Sequence, residues 1–348
     1  MASSAESNKG KVLLTGGTGF IASHVLDILL EEGFDVVVTV RSQEKGQRVV
    51  KSVDETVGKK VSFVVVEDIA QDGAFDEAVK SDPPFEYVIH TASPYQTKWE
   101  DPVKDCLDPA IKGTTGILKS IHAYAPTVKR VVITSSSAAI LKRENHPKSY
   151  NESSWSEVTE EQALDGRNTY RASKKFAELA AWDFKAKESP LFDLATINNT
   201  YTFGPIPRSL ASLNTLNTSN HRIRDLVQGG MREAVPATSP LFTFVDVRDV
   251  ALAHVRAMAV PEAAGKRFYI VGGFFSNARI AEIVRSNFPD LAAKVLPPKE
   301  QVKDDFPEDH WTPDTTRSKT VLGLKYTSLE KTVVDTVASI IKFEGVSA

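Results

Sequence analysis

The sequence predicts an α/β protein, a doubly wound parallel sheet with helices on both faces followed by a smaller C-terminal lobe. Three observations predict it. Apolar runs of strand length alternate with segments of helical periodicity through the first half of the chain. Those runs are nearly continuous in hydrophobicity, as strands covered on both faces are. A glycine cluster, Thr15-Gly16-Gly17-Thr18-Gly19, joins the first strand to the first helix.

In order, Lys11–Thr15 is an apolar run ending at those glycines, and Ile21 to Glu32 carries Ile21, Val25, Ile28 and Leu29 on one helical face. Val36–Val40, Val61–Val66, Tyr87–Thr91 and Arg130–Ser135 read as further strands, rich in Val and Ile. Pro102–Tyr124 between the last two has helical spacing. Lys142 to Arg167 is polar and mixed in charge, which suits an insertion over the sheet edge. Thr169 to Lys187 is a helix, Phe192–Asn198 a sixth strand, Phe242–Val247 a further strand, and Val250–Met258 and Ser328–Phe343 are helices. Gly204 to Pro240 is rich in Pro, Ser, Asn and Gly and reads as a cover over a substrate rather than as core. The expected organisation is a polar extension at 1–10, a dinucleotide-binding domain at 11–198 to which about 242–272 return, and a mainly substrate-binding lobe at 199–348.

Composition bounds the function. The 348 residues are 41% hydrophobic and 25% charged, ample for a buried core, and 42 Lys+Arg against 45 Asp+Glu leave a net charge of −3. No basic run offers a face to nucleic acid. Apolar stretches such as Val61–Val66 are far short of the roughly 20 residues of a membrane helix, and Met1 to Gly10 lacks the apolar centre of a secretion signal. Cys106 is the only cysteine, which excludes an internal disulfide and argues against a cysteine zinc site; its helical neighbours Val103 and Ala110 suggest packing. The seven histidines show no metal-ligand spacing, so no metal is expected, and His90 reads as a structural histidine. The expected setting is a reducing cytoplasm, with a small molecule as partner, no nucleic acid or membrane, and a monomer or homodimer.

Four groups of residues carry chemistry. Gly16, Gly17 and Gly19, followed by Phe20, Ile21 and Ala22, form a turn that lets backbone approach a pyrophosphate and aims a helix N-terminus at it, a Rossmann-type fingerprint. Where an NAD enzyme carries Asp or Glu after the second strand, this chain has Arg41-Ser42 with Lys45 one turn on; two cations suit the 2′-phosphate of NADPH. Tyr170 and Lys174 are four apart on one helix face, and an ammonium beside a phenol favours phenolate. Thr134-Ser135-Ser136-Ser137-Ala138-Ala139 ends the fifth strand, where a hydroxyl can donate to an oxygen gaining negative charge. Asp246–Asp249 reads as a strand-to-helix turn in which Asp249 caps the helix.

Taken with Asp68-Ile69, His90-Thr91-Ala92-Ser93-Pro94 and Asp246-Val247-Arg248-Asp249-Val250-Ala251, these motifs resemble the extended short-chain dehydrogenase/reductase family across nearly the whole chain. They look most like its fungal branch near the NADPH-dependent methylglyoxal and aldehyde (carbonyl) reductases, and less like plant dihydroflavonol-4-reductases and cinnamoyl-CoA reductases. The resemblance implies a catalytic triad of Ser136, Tyr170 and Lys174, with Lys174 also holding the nicotinamide ribose. It implies cofactor contacts from Arg41, Lys45, Asp68, Ile69, Ala92 and Ser219, and a backbone contact between Thr200 and Thr202. Tyr95 and Tyr201 match aromatic walls of the substrate pocket. Two departures stand out. Asn198-Asn199-Thr200-Tyr201 replaces the family's Asn-Pro-Val-Tyr, so a fixed φ is lost and an N–H gained. Ser137 stands where the yeast reductases often carry tyrosine, which should widen the pocket.

The leading expectation is an NADPH-dependent carbonyl reductase (ketoreductase or aldehyde reductase) with Tyr170 as proton donor. The alternatives are an epimerase or hydroxysteroid dehydrogenase built on the same triad, against which Arg41 argues, and a non-catalytic NADP sensor, which would not need the Tyr–Lys pair.

Overall fold

The computed structural model describes residues 9–53, 60–93, 100–238 and 241–345. Among these, seven strands form one parallel sheet: β1 (Lys11–Thr15), β2 (Asp35–Val40), β3 (Val61–Val65), β4 (Tyr87–His90), β5 (Arg130–Thr134), β6 (Asp193–Asn199) and β7 (Lys266–Ile270). Their spatial order is β7-β6-β5-β4-β1-β2-β3. Strand order reverses between β1 and β4, where Thr15 is the register partner of His90, and a ligand crevice opens at the carboxyl ends on either side of such a reversal.

Side chains alternate across the sheet with the two-residue period of a strand. Val12 and Leu14 enter one core with α1 (Phe20–Glu31) and the later helix α6 (Val247–Ala259), through Val25, Leu29, Val250 and Ala253. Leu13 points the other way, into a core with Val88, Val131 and Ile133 of the sheet. Over that face lie α3 (Asp108–Tyr124), with Ile117, Leu118 and Ile121, and α4 (Thr169–Glu188), with Ala181. Helix α2 (Gln43–Ser52) follows β2. The continuous hydrophobicity of these strands thus has its cause, since both faces are buried.

The segment Lys142–Arg167 lies over the sheet edge as expected. Arg267 of β7 donates to the carbonyls of Glu152 (2.7 Å) and Ser154 (2.8 Å), and the Tyr269 amide donates to the Glu152 carboxylate at 3.3 Å. An exposed strand edge is covered in this way.

Three expectations need correction. Gly204–Pro240 contributes core as well as cover, because α5 (Thr218–Val227) delivers Ile223, Leu226 and Val227 to a second core. Phe203, Phe244, Phe275, α7 (Asn277–Asn287) and α8 (Leu329–Glu344) complete that core. Three apolar residues at helical spacing suffice for the helix, and the surrounding Gly and Asn hid them. Second, the helix at 102–124 is regular only from Asp108, preceded by a wider π turn at Val103–Leu107. Pro109 has no N–H to give the carbonyl four residues back, so a regular helix cannot run through it unbroken. Third, Asp246 caps α6, accepting from the Arg248 amide at 2.8 Å. Asp249 instead accepts from Thr327 N (2.7 Å) and Oγ1 (3.0 Å), fastening the chain ahead of α8.

No helix among the described residues is long and apolar enough to cross a membrane.

Candidate active site

At the end of β1, Gly16 has φ +72, and a Cβ on it would lie 3.0 Å from the Ala92 Cα. A Cβ on Gly17 would stand 2.6 Å from the Val38 Cβ. Both positions therefore demand glycine, one for its backbone angle and one for the approach of β2. Thr39 staples the turn: its Oγ1 accepts from Gly16 N at 3.1 Å and its carbonyl from Gly17 N at 2.9 Å. Gly19 is the N-cap of α1 and supplies no side-chain cap, as at α3, α4 and α5, whereas α2, α6, α7 and α8 are capped by Ser42, Asp246, Ser276 and Ser328. The first amides of α1 are thus left to an outside acceptor, which fits a pyrophosphate.

Arg41 is exposed just past β2, and Ser42 Oγ accepts from the Lys45 amide at 3.4 Å, starting α2. The neighbouring Arg48 is bound to Glu44 at 2.7 Å, and neither Arg41 nor Lys45 meets a carboxylate among the described residues. Two uncommitted cations beside a helix N-terminus suit a phosphate better than a ribose hydroxyl. Asp68, past β3, accepts from the Ala70 amide at 2.9 Å. Ile69 packs where Gly113 of α3 has no side chain; a Cβ there would lie 2.9 Å from the Ile69 Cδ1. Ala92 follows β4 with its amide on Thr15 Oγ1 at 3.1 Å.

The Lys174 Nζ lies 5.9 Å from the centroid of the half-buried Tyr170 ring and donates to Ser93 Oγ at 3.0 Å. Burial pushes the Lys174 ammonium down to about 8, against smaller opposing influences from Cys106 and Glu178. Ser136 lies two residues past β5; its Oγ accepts from the Ala138 amide at 3.1 Å and its carbonyl accepts from Asn198 Nδ2 at 3.3 Å. Ser137 begins the next turn and is only 3% exposed, so its short side chain lies within the packing.

The turn after β6 carries the departure from the family pattern. Asn199 Nδ2 donates to Thr202 Oγ1 at 2.9 Å, so the amide fastens a turn where proline would have stiffened it. Thr200 Oγ1 is bound to the Thr243 carbonyl (3.0 Å) and hydroxyl (2.6 Å), and the Thr200 carbonyl accepts from Thr202 Oγ1 at 3.0 Å. Asn217, the N-cap of α5, donates to the Thr202 carbonyl at 3.1 Å and brings Ser219 to the same region. Tyr201 stacks beside Phe203 with centroids 6.4 Å apart. Tyr95 lies outside the described residues.

Two buried histidines lie below. His90 Nδ1 is 2.9 Å from Thr15 Oγ1, its Nε2 has no partner, and burial, aided by Lys174, holds its pKa down at about 3. His254 bridges Thr134 Oγ1 (2.7 Å) and the Val250 carbonyl (2.7 Å), lowered to about 4 by burial. Both are neutral scaffolding. Cys106 is buried against Leu107, Val158, Ala163 and Ala172, and burial pushes its thiol up, as packing predicts. Among the described residues no cluster of three His, Cys, Asp or Glu is placed to hold a metal.

Sequence reasoning missed Ser93 and Glu178. Glu178 is 2% exposed and accepts from Ser135 Oγ (2.5 Å), Thr196 Oγ1 (2.9 Å), Asn198 Nδ2 (2.7 Å) and Arg267 Nε (2.7 Å). Its signal was present: an acid one turn past Lys174, on a face otherwise continued by Ala177 and Ala181.

A model described as the NAD dependent epimerase/dehydratase family matches residues 12–272. The chain belongs to that family. Within it, the chain is 53% identical over 332 residues to the ketoreductase azaE of Aspergillus niger, covering 95% of this chain and 98% of that protein. It is 36% identical over 343 residues to the NADPH-dependent methylglyoxal reductase GRE2 of Saccharomyces cerevisiae, covering 96% and 99%. The crystal structure of Gre2 from Candida albicans with NADPH superposes with a TM-score of 0.88 at 36% identity, covering 95% of this chain and 98% of that one. Relatives and fold thus come from the reductase branch that the motifs resemble, and the Rossmann-type parallel sheet is the one expected, except that its seventh strand is Lys266–Ile270 and the strand at Thr243–Asp246 lies in a separate three-stranded sheet.

Removing the Glu178 carboxylate strands the Arg267 guanidinium, 9% exposed, inside the protein. Glu178→Ala is expected to lower the unfolding free energy by about 3–5 kcal/mol in urea titration, with Glu178→Ala/Arg267→Ala losing less than the sum of the two single changes.

Proposed function

We propose that this chain is an NADPH-dependent carbonyl reductase that converts an aldehyde or ketone to its alcohol. The observation that carries the reading is the Tyr170–Lys174 pair, its ammonium anchored on Ser93, one residue past Ala92, whose Cα stands 3.0 Å from where a Gly16 Cβ would lie. The bound cofactor supplies the hydride for the carbonyl carbon.

Each residue then has a task. Gly16, Gly17, Gly19, Phe20 and Ile21 receive the pyrophosphate. Arg41 and Lys45 pair with the 2′-phosphate, and Asp68 and Ile69 flank the adenine. Ala92, Thr200, Thr202 and Ser219 line the nicotinamide half. Ser136 Oγ donates to the substrate oxygen and holds it near the Tyr170 hydroxyl. Tyr170 passes its proton to that oxygen, and the Lys174 ammonium stabilises the phenolate left behind while orienting the ribose. Tyr95 and Tyr201 wall the substrate pocket, and Ser137, 3% exposed, lies behind its surface. In this reading residues 11–198, with about 242–272, bind the cofactor and 199–348 mainly cover the substrate. A cluster away from the sheet, with Ile223, Leu226, Phe275 and Val337, supports the division, although Phe244 joins it and Leu322 and Leu324 pack with the sheet. The protein works as a monomer or homodimer in the cytoplasm.

Tyr170→Phe keeps the ring and loses the proton. It should retain NADPH affinity by fluorescence titration while turnover falls at least about 100-fold; unchanged turnover overturns the mechanism. Arg41→Ala should raise the KM for NADPH by about 10- to 100-fold and leave that for NADH nearly unaltered, in parallel assays with both nucleotides. Because burial lowers the Lys174 pKa to about 8, its positive charge is present below that pH and lost as pH rises through it. The kcat/KM for reduction should therefore fall above about pH 8, and Lys174→Arg, charged throughout, should shift that fall to higher pH.

A further inference from the structure

Arg222 of α5 is a half-buried cation that the mechanism above does not use. Its guanidinium carbon lies 5.2 Å from the Tyr201 ring centroid and 5.0 Å from that of Phe275. Nη1 donates to Asn277 Oδ1 at 2.6 Å, and the Tyr201 side chain is a further hydrogen-bond partner. Nε is buried with no hydrogen-bond partner among the described residues. Arg130, Arg248 and Arg267 each meet a carboxylate, at 3.6, 2.7 and 2.7 Å. Among the described residues none lies within 4.0 Å of Arg222. Burial pulls its pKa below the ordinary arginine value, which marks a cation short of compensating charge.

The same side chain lines an open depression of about 430 Å³ with Asp225, Met231, Pro236, Ala237 and Asn277. That volume is in the range of small-molecule sites. Two acids are near and both are engaged: Asp225 takes the Arg224 guanidinium at 2.6 Å, and Asp305 accepts from Thr238 Oγ1 at 2.6 Å. His221, also lining the depression, is bound to the Leu216 carbonyl at 2.9 Å.

Chain continuity ties this depression to the reaction centre. Asn198, which donates to the Ser136 carbonyl at 3.3 Å, is three residues before Tyr201, a span of at most about 11 Å. Arg222 stacks on Tyr201, and Ser219, one helical turn earlier on α5, belongs to the proposed cofactor wall.

We infer that Arg222 selects the substrate: it receives a carboxylate carried by the carbonyl compound, so that keto acids are preferred over their neutral esters. A planar guanidinium braced by two rings and an amide presents its remaining N–H groups in a fixed fork, the geometry that carboxylates match. The inference rests on the reductase reading and deepens it.

The test measures kcat/KM with NADPH for keto acids having two, three or four methylenes between ketone and carboxylate, each beside its methyl ester. In the wild type at least one acid should exceed its ester by about tenfold or more. In Arg222→Leu the acid-to-ester ratio should fall by about 10- to 100-fold, with the loss of the acid appearing in KM. Misfolding would depress acid and ester together, so the ratio is the readout. Arg222→Lys, charged but without the fork, should give an intermediate ratio. Equal rates for acid and ester in the wild type, or a ratio that Arg222→Leu does not change, overturns the inference while leaving the reductase reading intact. Should the wild type reduce neither series, the reductase reading fails for these ketones. Calorimetric binding of the same acids to the NADP-loaded protein then decides, supporting the inference if Arg222→Leu abolishes it and overturning it if binding is absent or unaltered.

Discussion

The buried carboxylate of Glu178 binds the helix that carries Tyr170 and Lys174 to the strands beneath it. Its oxygens accept from side chains of β6 and β7 and from Ser135, the residue just before the proposed oxygen-holding Ser136. A carboxylate in such a place is tolerable only because each lone pair has a donor and Arg267 supplies the opposite charge. Arg267 is itself held against the Trp155 ring, 3.6 Å from its centroid, and by two carbonyls of the segment over the sheet edge. The registration of helix against strand, on which the placement of a proton donor over a bound substrate depends, is thereby fixed by directional bonds rather than by apolar packing alone.

Around that anchor, charges are distributed with a consistent logic. The interior histidines beneath the crevice are neutral, because burial outweighs every influence that would charge them. Lys174 is also desolvated, but Ser93 accepts its hydrogen bond and Glu178 lies a turn away, so its proton is held more weakly than that of an exposed lysine without being lost at neutral pH. At the start of the sheet, the uncapped N-terminus of α1, and Arg41 and Lys45, which meet no carboxylate among the described residues, offer donors and positive charge suited to phosphates. The second core brings a different kind of cation, Arg222, braced by the aromatic rings of Tyr201 and Phe275.

Much of this was legible in the sequence because it is local. Continuous β-branched runs imply strands buried on both faces; the glycine turn implies a backbone that must approach a phosphate; a four-residue interval puts Tyr170 and Lys174 on one face whatever the helix packs against. Arg41 after the second strand is likewise a statement about chain order. By its own pattern, then, the sequence determined six strands of the sheet, the glycine turn and the shared helix face of Tyr170 and Lys174, but not the seventh strand at Lys266–Ile270. The tertiary structure decided what depends on separation in sequence. It joined Glu178 to Arg267 across 89 positions, set Ser93 under Lys174 across 81, and turned Gly204–Pro240 from apparent loop into part of a second core that places Arg222 against Tyr201 and Phe275. Periodicity reports which face of an element is apolar, but the partner that meets a buried polar group is chosen by the packing of whole elements, and that information resides in no single segment.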